Sequence, residues 1–394
     1  MNLRALHLLV AVSCGTCTTI QVALAQNWTQ TTAPSTHWAG LASSANGMKL
    51  FAVVGGGTGP GPIYTSVNGG TNWVPSSAPT LGWYAVACSA DGAKVIATVP
   101  GDYKLYTSSD SGASWTTNST PSYYLMSVAC SADGINVIAA GTGNGIYHSS
   151  DSGVTWTFTN LSVGGTIYVA SSADGVKLVA AGYPGQIWTS ANSGTTWSKT
   201  PAPSARWRSV ASSANGSTLV AAVESVPPSY TSGALYVSTD AGATWSNPYL
   251  LPYPYSARSV ASSADGTRLI AAATGVYLST NSGATWSFSP GAYGSCTSAA
   301  CSADGAKLVV AGTLIWASQS ILKPQLTLAS AGTNLIVSWV VPSADFALHQ
   351  NTDLGTTNWV EYPDPPILNL SKLRNEVSLR SPGGKGFYRL ISRQ

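Results

Sequence analysis

Short runs of alternating apolar and polar residues fill most of this chain, and Gly, Asn or Asp interrupts them at near-regular intervals. Tyr84–Cys88, Lys94–Val99, Leu105–Ser108 and Ser114–Thr117 make one set of such runs. A period of two sends successive side chains to opposite faces of a strand, so the pattern predicts an all-β chain. The set of four then recurs with a period of roughly 41 residues, the size of one propeller blade.

Three motifs mark the recurrence. Ala-[Ser/Cys]-Ser-Ala-[Asp/Asn]-Gly begins at Ala42, Ala87, Ala129, Ala170, Ala211, Ala261 and Ala300. An aliphatic–aromatic pair follows in each repeat, from Ile63-Tyr64 to Ile315-Trp316. Ser-x-[Asp/Asn]-x-Gly-x-x-Trp ends at Trp73, Trp115, Trp156, Trp197, Trp245 and Trp286, one copy short of seven. Each motif Trp stands 14 residues before the next repeat's Ala, or 16 after Trp245, and Trp28 stands 14 before Ala42. The expectation is a seven-bladed β-propeller in which Asn27-Trp28-Thr29 supplies the last strand of the repeat left unfinished at Ser318. [Asp/Asn]-Gly is the favoured dipeptide for the hairpin between the first two strands. In the Ser-x-[Asp/Asn]-x-Gly turn, the Asp or Asn caps backbone N–H groups, the Gly accepts a positive φ, and the Trp packs between sheets.

Beyond Lys323-Pro324 the repeat stops. Residues 323–394 hold seven of the eighteen Lys and Arg. Short strands are expected at Gln325–Leu328, Leu335–Val340, Phe346–His349, Trp359–Tyr362, Glu376–Leu379 and Phe387–Ile391. They predict a small immunoglobulin-like β-sandwich of about 70 residues. At the other end, Arg4, the apolar stretch from Leu8 and the Ala23-Leu24-Ala25 site read as an export signal, with a lipoprotein signal using Cys14 as the alternative. The domain expectation is therefore a signal peptide at 1–25, a propeller at 26–322 and the sandwich at 323–394. The protein would be secreted, periplasmic or held at the cell surface after cleavage near Ala25.

Composition narrows the partners. Charged residues make up 8% and the net charge is +3. No basic cluster appears, so nucleic acid is not an expected partner. No later stretch reaches the length of a membrane span. A monomer is expected. Cys88, Cys130 and Cys301 share one repeat position that is Ser in the other four repeats, which reads as a small side chain on an inner strand. A bridge between Cys88 and Cys130 remains open, whereas Cys296 and Cys301 read as too far apart to pair.

The six Ser-x-[Asp/Asn]-x-Gly-x-x-Trp motifs resemble the Asp box, or bacterial neuraminidase repeat, of the sialidase-like superfamily. That group includes sialidases, xyloglucanases, sortilin-type receptors and photosystem assembly propellers. The resemblance covers residues 27 to about 320 and implies the propeller fold, but the group mixes enzymes with binders. Its sialidases use three Arg to hold a carboxylate, a Tyr–Glu nucleophile pair and an Asp acid. Their Phe/Tyr-Arg-Ile-Pro motif is absent here.

The repeats act as an internal control on chemistry. Ten acidic residues lie between 26 and 322. Asp110, Asp151 and Asp240 sit where Asn68, Asn192 and Asn281 stand in sister motifs. Asp91, Asp133, Asp174, Asp265 and Asp304 sit where Asn46 and Asn215 do. A position that takes amide or carboxylate needs an acceptor, not an acid or a metal ligand. Only Asp102 and Glu224 are left, on repeats nearly opposite around the ring. Paired carboxyl groups for glycoside hydrolysis must stand about 5–10 Å apart. His37, His148 and His349 are scattered and give no metal spacing. No catalytic residue, metal or cofactor is expected.

The face opposite the Asp boxes offers aromatics and cations instead. Arg206, Arg208, Arg258 and Glu224, with Tyr103, Tyr124, Tyr183 and Tyr230, are the candidate ligand-binding residues. Trp38, Trp83, Trp207, Tyr123, Tyr253, Tyr255 and Tyr293 lie near them, the three Trp either facing the ligand or packing between blades. Flat aromatic faces beside hydrogen-bonding groups suit sugar rings or an extended peptide. The leading expectation is a non-catalytic binder of a glycan or an extracellular protein. The alternatives are a sialidase-like or glucan-cleaving hydrolase, and an assembly scaffold.

Overall fold

A computed structural model describes residues 27–56, 59–102, 104–119, 124–143, 145–161, 165–224, 233–246, 248–252, 256–292, 294–319, 326–331, 334–340, 346–351, 356–369, 373–379 and 387–392. The export signal, Tyr103, Tyr123, Tyr230, Tyr253, Tyr255 and Tyr293 lie outside them. The described residues form strands and turns without helix. No helix among them is long and apolar enough to cross a membrane.

Between residues 28 and 319 the strands form seven four-stranded antiparallel sheets. Sheets 1 to 6 span 38–75, 85–119, 125–160, 166–199, 207–250 and 259–289, and sheet 7 joins 298–319 to Trp28–Gln30. This is a β-propeller. The first strand of each sheet packs on the first strand of the next, and that of sheet 7 packs back on sheet 1. The second strands explain why the sheets stack. Leu50–Val54, Val137–Gly141, Leu219–Val223 and Leu269–Ala273 are buried at every residue. A strand covered on both faces loses the polar half of its alternation and reads as a continuous apolar run. Outermost strands such as Val74–Pro75 and Ser198–Lys199 stay exposed and polar or short.

The ring closes through the chain's own N-terminal strand. Trp28 pairs with Ser318, Thr29 with Ala317 and Gln30 with Trp316. In sheet 1, Thr65 pairs with Val74 and Tyr64 with Pro75, so Thr29 opposes Ala317 just as Val74 opposes Thr65. One detail differs from expectation. The Trp73 indole donates to its own turn's Gly70 carbonyl at 3.0 Å, whereas Trp28 has no such turn and donates to Ser289 Oγ of sheet 6 at 3.0 Å.

Both turn types use the acidic residue as an acceptor. Ser108 Oγ and the Ser114 N–H donate to Asp110 Oδ1 at 2.8 Å each. Ser66 Oγ and the Asn72 N–H make the same bonds to Asn68 Oδ1 at 3.0 and 2.9 Å. The hairpin turns repeat the logic, with Asp91 Oδ1 and Asn46 Oδ1 each accepting a backbone N–H at 2.9 Å. The residue between acid and glycine is itself left-handed, with φ 61° at Ser111 and 58° at Ala241. Around the hairpin end of the channel, seven alanines join into a closed hydrogen-bonded circle. Ala45 N–H donates to the Ala90 carbonyl, and the series runs through Ala132, Ala173, Ala214, Ala264 and Ala303 back to Ala45 at 2.7–2.9 Å.

Beyond the propeller sheets, strands at Thr327–Ala331, Asn334–Val340, Arg374–Leu379 and Ile367–Asn369 form one sheet. Phe346–Asn351, Phe387–Ser392 and Val360–Glu361 form a second. Val337, Trp339, Val377 and Leu379 of the first pack on Leu348 and Tyr362 of the second. The strand at Ile367–Asn369 was not expected, because Asp364-Pro365-Pro366 before it reads as loop.

The thiols of Cys88, Cys130, Cys296 and Cys301 are free, so the open question of a Cys88–Cys130 bridge resolves to two separate thiols.

Candidate functional site

The site grows from a bulge. In sheet 5 the pairing of Trp207 with Val223 and Ser209 with Ala222 leaves Arg208 as an extra residue. A bulge of this kind re-aims one side chain and is frequent beside binding sites. Trp207 turns inward and is fully buried, stacking edge-on against Tyr236 with ring centres 5.3 Å apart. Trp38 on Tyr64 and Trp83 on Tyr106 repeat the arrangement at 5.3 and 4.9 Å. All three Trp are 0% exposed, so they hold strands together and offer no face to a ligand.

Arg208 points to its neighbour strand. Its Nη2 lies 2.6 Å from Glu224 Oε1, with side-chain exposures of 36% and 28%. Glu224 follows the strand Leu219–Val223 directly and donates its N–H to the Arg206 carbonyl at 2.9 Å. Tyr183 ends the second strand of sheet 4 and donates its hydroxyl to Glu224 Oε2. The Arg208 guanidinium sits 4.8 Å from the centre of the Tyr183 ring. The structure thus brings Arg206, Arg208, Glu224 and Tyr183 together across the sheet 4–sheet 5 boundary. Arg208 is therefore paired, with both Glu224 oxygens turned onto the cluster.

The protonation states follow from these contacts. Burial pushes the Glu224 carboxyl up, but the Arg208 and Tyr183 hydrogen bonds and the charges of Arg208 and Arg206 outweigh it, and the net shift is downward. Tyr183 moves up, from burial first and then from its bond to Glu224. Tyr168 is pushed up to about 12 by burial, with Tyr84 and Arg208 beside it. Tyr84 and Tyr168 thus extend the cluster toward sheets 2 and 4, and the sequence reading passed over both. A signal was present. Tyr168 occupies a repeat position filled elsewhere by Gly40, Ala85 or Ser. At that position Ser127, Ser209, Ser259 and Ser298 each accept a backbone N–H from the following sheet at 3.0–3.1 Å.

The other candidates stand apart. Arg258 is exposed on sheet 6 with no ion-pair partner among the described residues. Tyr124 is 51% exposed at the entry to sheet 3. Asp102 accepts the Tyr106 hydroxyl at 2.6 Å and lies 3.6 Å from Lys104 Nζ, so it is occupied within sheet 2. No group of three His, Cys, Asp or Glu able to hold a metal occurs among the described residues.

No protein-family model matches the sequence, and no curated protein matches it. A solved structure does. YCF48 from Cyanidioschyzon merolae superposes with a TM-score of 0.55 at 14% identity, over 74% of this chain and 98% of that one. What the two share is the β-propeller fold. At this identity the likeness carries no activity, and the argument about function returns to the side chains.

Proposed function

We propose that this chain is an exported, non-catalytic recognition protein built on a seven-bladed Asp-box propeller with a C-terminal β-sandwich. Its ligand face is the mouth where Arg208, Glu224 and Tyr183 meet, with Arg206, Arg258 and Tyr124 on the approach. The ligand class is a glycan or an extracellular protein presenting a carboxylate or vicinal hydroxyls. The observation that carries this reading is geometric. Both Glu224 oxygens are engaged, one by Arg208 and the other by Tyr183, and the other unassigned acid, Asp102, is held by Tyr106 and Lys104 in sheet 2. A glycosidase needs a second carboxyl group beside the first, so the cluster is suited to holding a shape. Arg208 keeps N–H groups beyond the one given to Glu224, and Arg206 and Arg258 add two forks that match carboxylates and paired hydroxyls.

One observation favours a second reading, a sialidase-like hydrolase. Tyr183 and Glu224 are hydrogen-bonded beside two Arg, which is the pairing the resemblance implies for such enzymes. The acid is missing from that site, because Asp102 is tied to Tyr106 and Lys104. An assembly-scaffold role draws only on the shared propeller fold.

The experiment is a glycan array on the mature protein, run beside a glycoside hydrolysis screen. Replacing Arg206 and Arg258 with Ala weakens binding by about 1–3 kcal/mol per charged contact while the melting temperature holds. Turnover that disappears in Glu224→Gln or Tyr183→Phe would establish the hydrolase and end the binding proposal.

A further inference from the structure

The hairpin end of the propeller channel is not empty. Leu373, from the turn before Arg374–Leu379, packs among Ala45, Ala173, Ala214, Ala264 and Ala303 of the alanine circle. The same Leu373 lines a cavity of about 160 Å³ together with Cys88, Cys130 and Cys301. Its backbone is left-handed, with φ 49°, a conformation that a branched side chain adopts only when its surroundings hold it there. Arg374 beside it is anchored, donating to Ser338 Oγ at 3.0 Å and Thr327 Oγ1 at 2.6 Å, and it feels the charge of Asp265 in the sheet 6 hairpin.

The repeats supply an independent measurement of what covers this face. Turn acids and amides at Asn46, Asp91, Asp133, Asp174, Asn215 and Asp265 are exposed, but Asp304 in sheet 7 is half-buried. Two residues on, Ile135 is 41% and Val176 39% exposed, whereas Ala306 is 7% exposed. Asp304 is raised by that burial, while its equivalent Asp91, for which burial acts the same way, is lowered on balance by its hydrogen bonds. Seven equivalent turns differ in cover at one place, so the cover comes from outside the repeat.

We propose that the C-terminal unit docks on the hairpin face as a stopper, with Leu373 seated in the alanine circle and closing the channel at that end. The channel then opens only at the Arg208–Glu224 mouth, and a ligand enters and leaves by one door. The cavity thiols, partly exposed to that space, are then cut off from reagent arriving at the hairpin end. Burial raises Cys88 and pushes Cys130 and Cys301 up to about 12, so they react only as reagent reaches them.

The backbone suggests the least disruptive test. Leu373→Gly removes the stopper and suits a positive φ better than Leu does. Modification of the full mature chain with a maleimide, followed by peptide mass spectrometry, reads the thiols one by one. Cys88, Cys130 and Cys301 should react about tenfold faster or more in Leu373→Gly, with Cys296 unchanged as the internal standard. A second variant, Leu373→Cys, should be joined to one of the three channel thiols by a short bis-maleimide cross-linker, each thiol adding across one maleimide double bond. Equal labelling rates in the two proteins would overturn the stopper. So would a Leu373→Cys chain that cross-links to none of them.

Discussion

The strand that closes the ring is the most exposed weakness of a propeller, and Trp28 carries most of its side-chain contact. Its indole is half-buried between sheets 6 and 7, against Gly291 and the cluster that holds Ala292, Cys296, Leu308 and Val310. A fully buried Trp→Ala change costs about 3–5 kcal/mol, so half of that burial corresponds to about 2 kcal/mol. The lost bond to Ser289 Oγ adds about 1 kcal/mol. Trp28→Ala should therefore destabilise by about 2–3 kcal/mol, a fall of roughly 3–5 °C for a domain of this size. Trp28→Phe keeps the ring and loses the bond, so it should cost about 1 kcal/mol. Scanning calorimetry of the protein reads both. Removing residues 27–31 altogether should leave Ile315–Gln319 as a bare edge and bring aggregation as well as a lower melting point. If Trp28→Ala melts within about 1 °C of the parent, closure does not depend on this contact and the reasoning fails.

The turn acids give two further tests. Asp110→Asn, Asp151→Asn and Asp240→Asn should each leave the melting temperature close to the parent's, whereas Ala at the same positions lowers it because the acceptor is gone. Calorimetry in which Asn is as damaging as Ala would contradict the acceptor role. The same three carboxyls sit at about 2, below their ordinary 3.8, held there by Ser or Thr hydroxyls and backbone N–H groups. A depressed pKa contributes stability that is present above the unfolded value and lost as pH falls toward the folded one. The parent should therefore lose stability between about pH 4 and pH 2, and the triple Asn variant should lose less over that window. Parallel acid limbs in urea titrations would refute it. Arg208→Leu should let the Glu224 carboxyl rise again, which a pH titration followed by NMR detects as a shift toward higher pH. An unmoved titration would show that Arg208 does not hold it.

Much of this molecule is written locally. A period-two run is a strand wherever it sits, and Asp-Gly or Asn-Gly turns a hairpin without help. The interchange of Asp110 with Asn68 marks a hydrogen-bond acceptor from the sequence alone, and both side chains accept the equivalent backbone N–H. Even closure was countable, because Trp28 keeps the same 14-residue distance to Ala42 that Trp73 keeps to Ala87. What tertiary structure alone decided is where side chains go once the strands curve into a ring. Trp38, Trp83 and Trp207 share a position with residues as small as Ala257, and only the space between sheets shows that all three Trp fill it. Arg208, the extra residue of its bulge, meets Glu224 and Tyr183 from segments 16 and 25 residues away in sequence. Leu373 is one Leu among many in the chain, and nothing near it in sequence places it in the channel. Contacts of this kind join segments that no local period relates, so their geometry depends on the whole ring being assembled first.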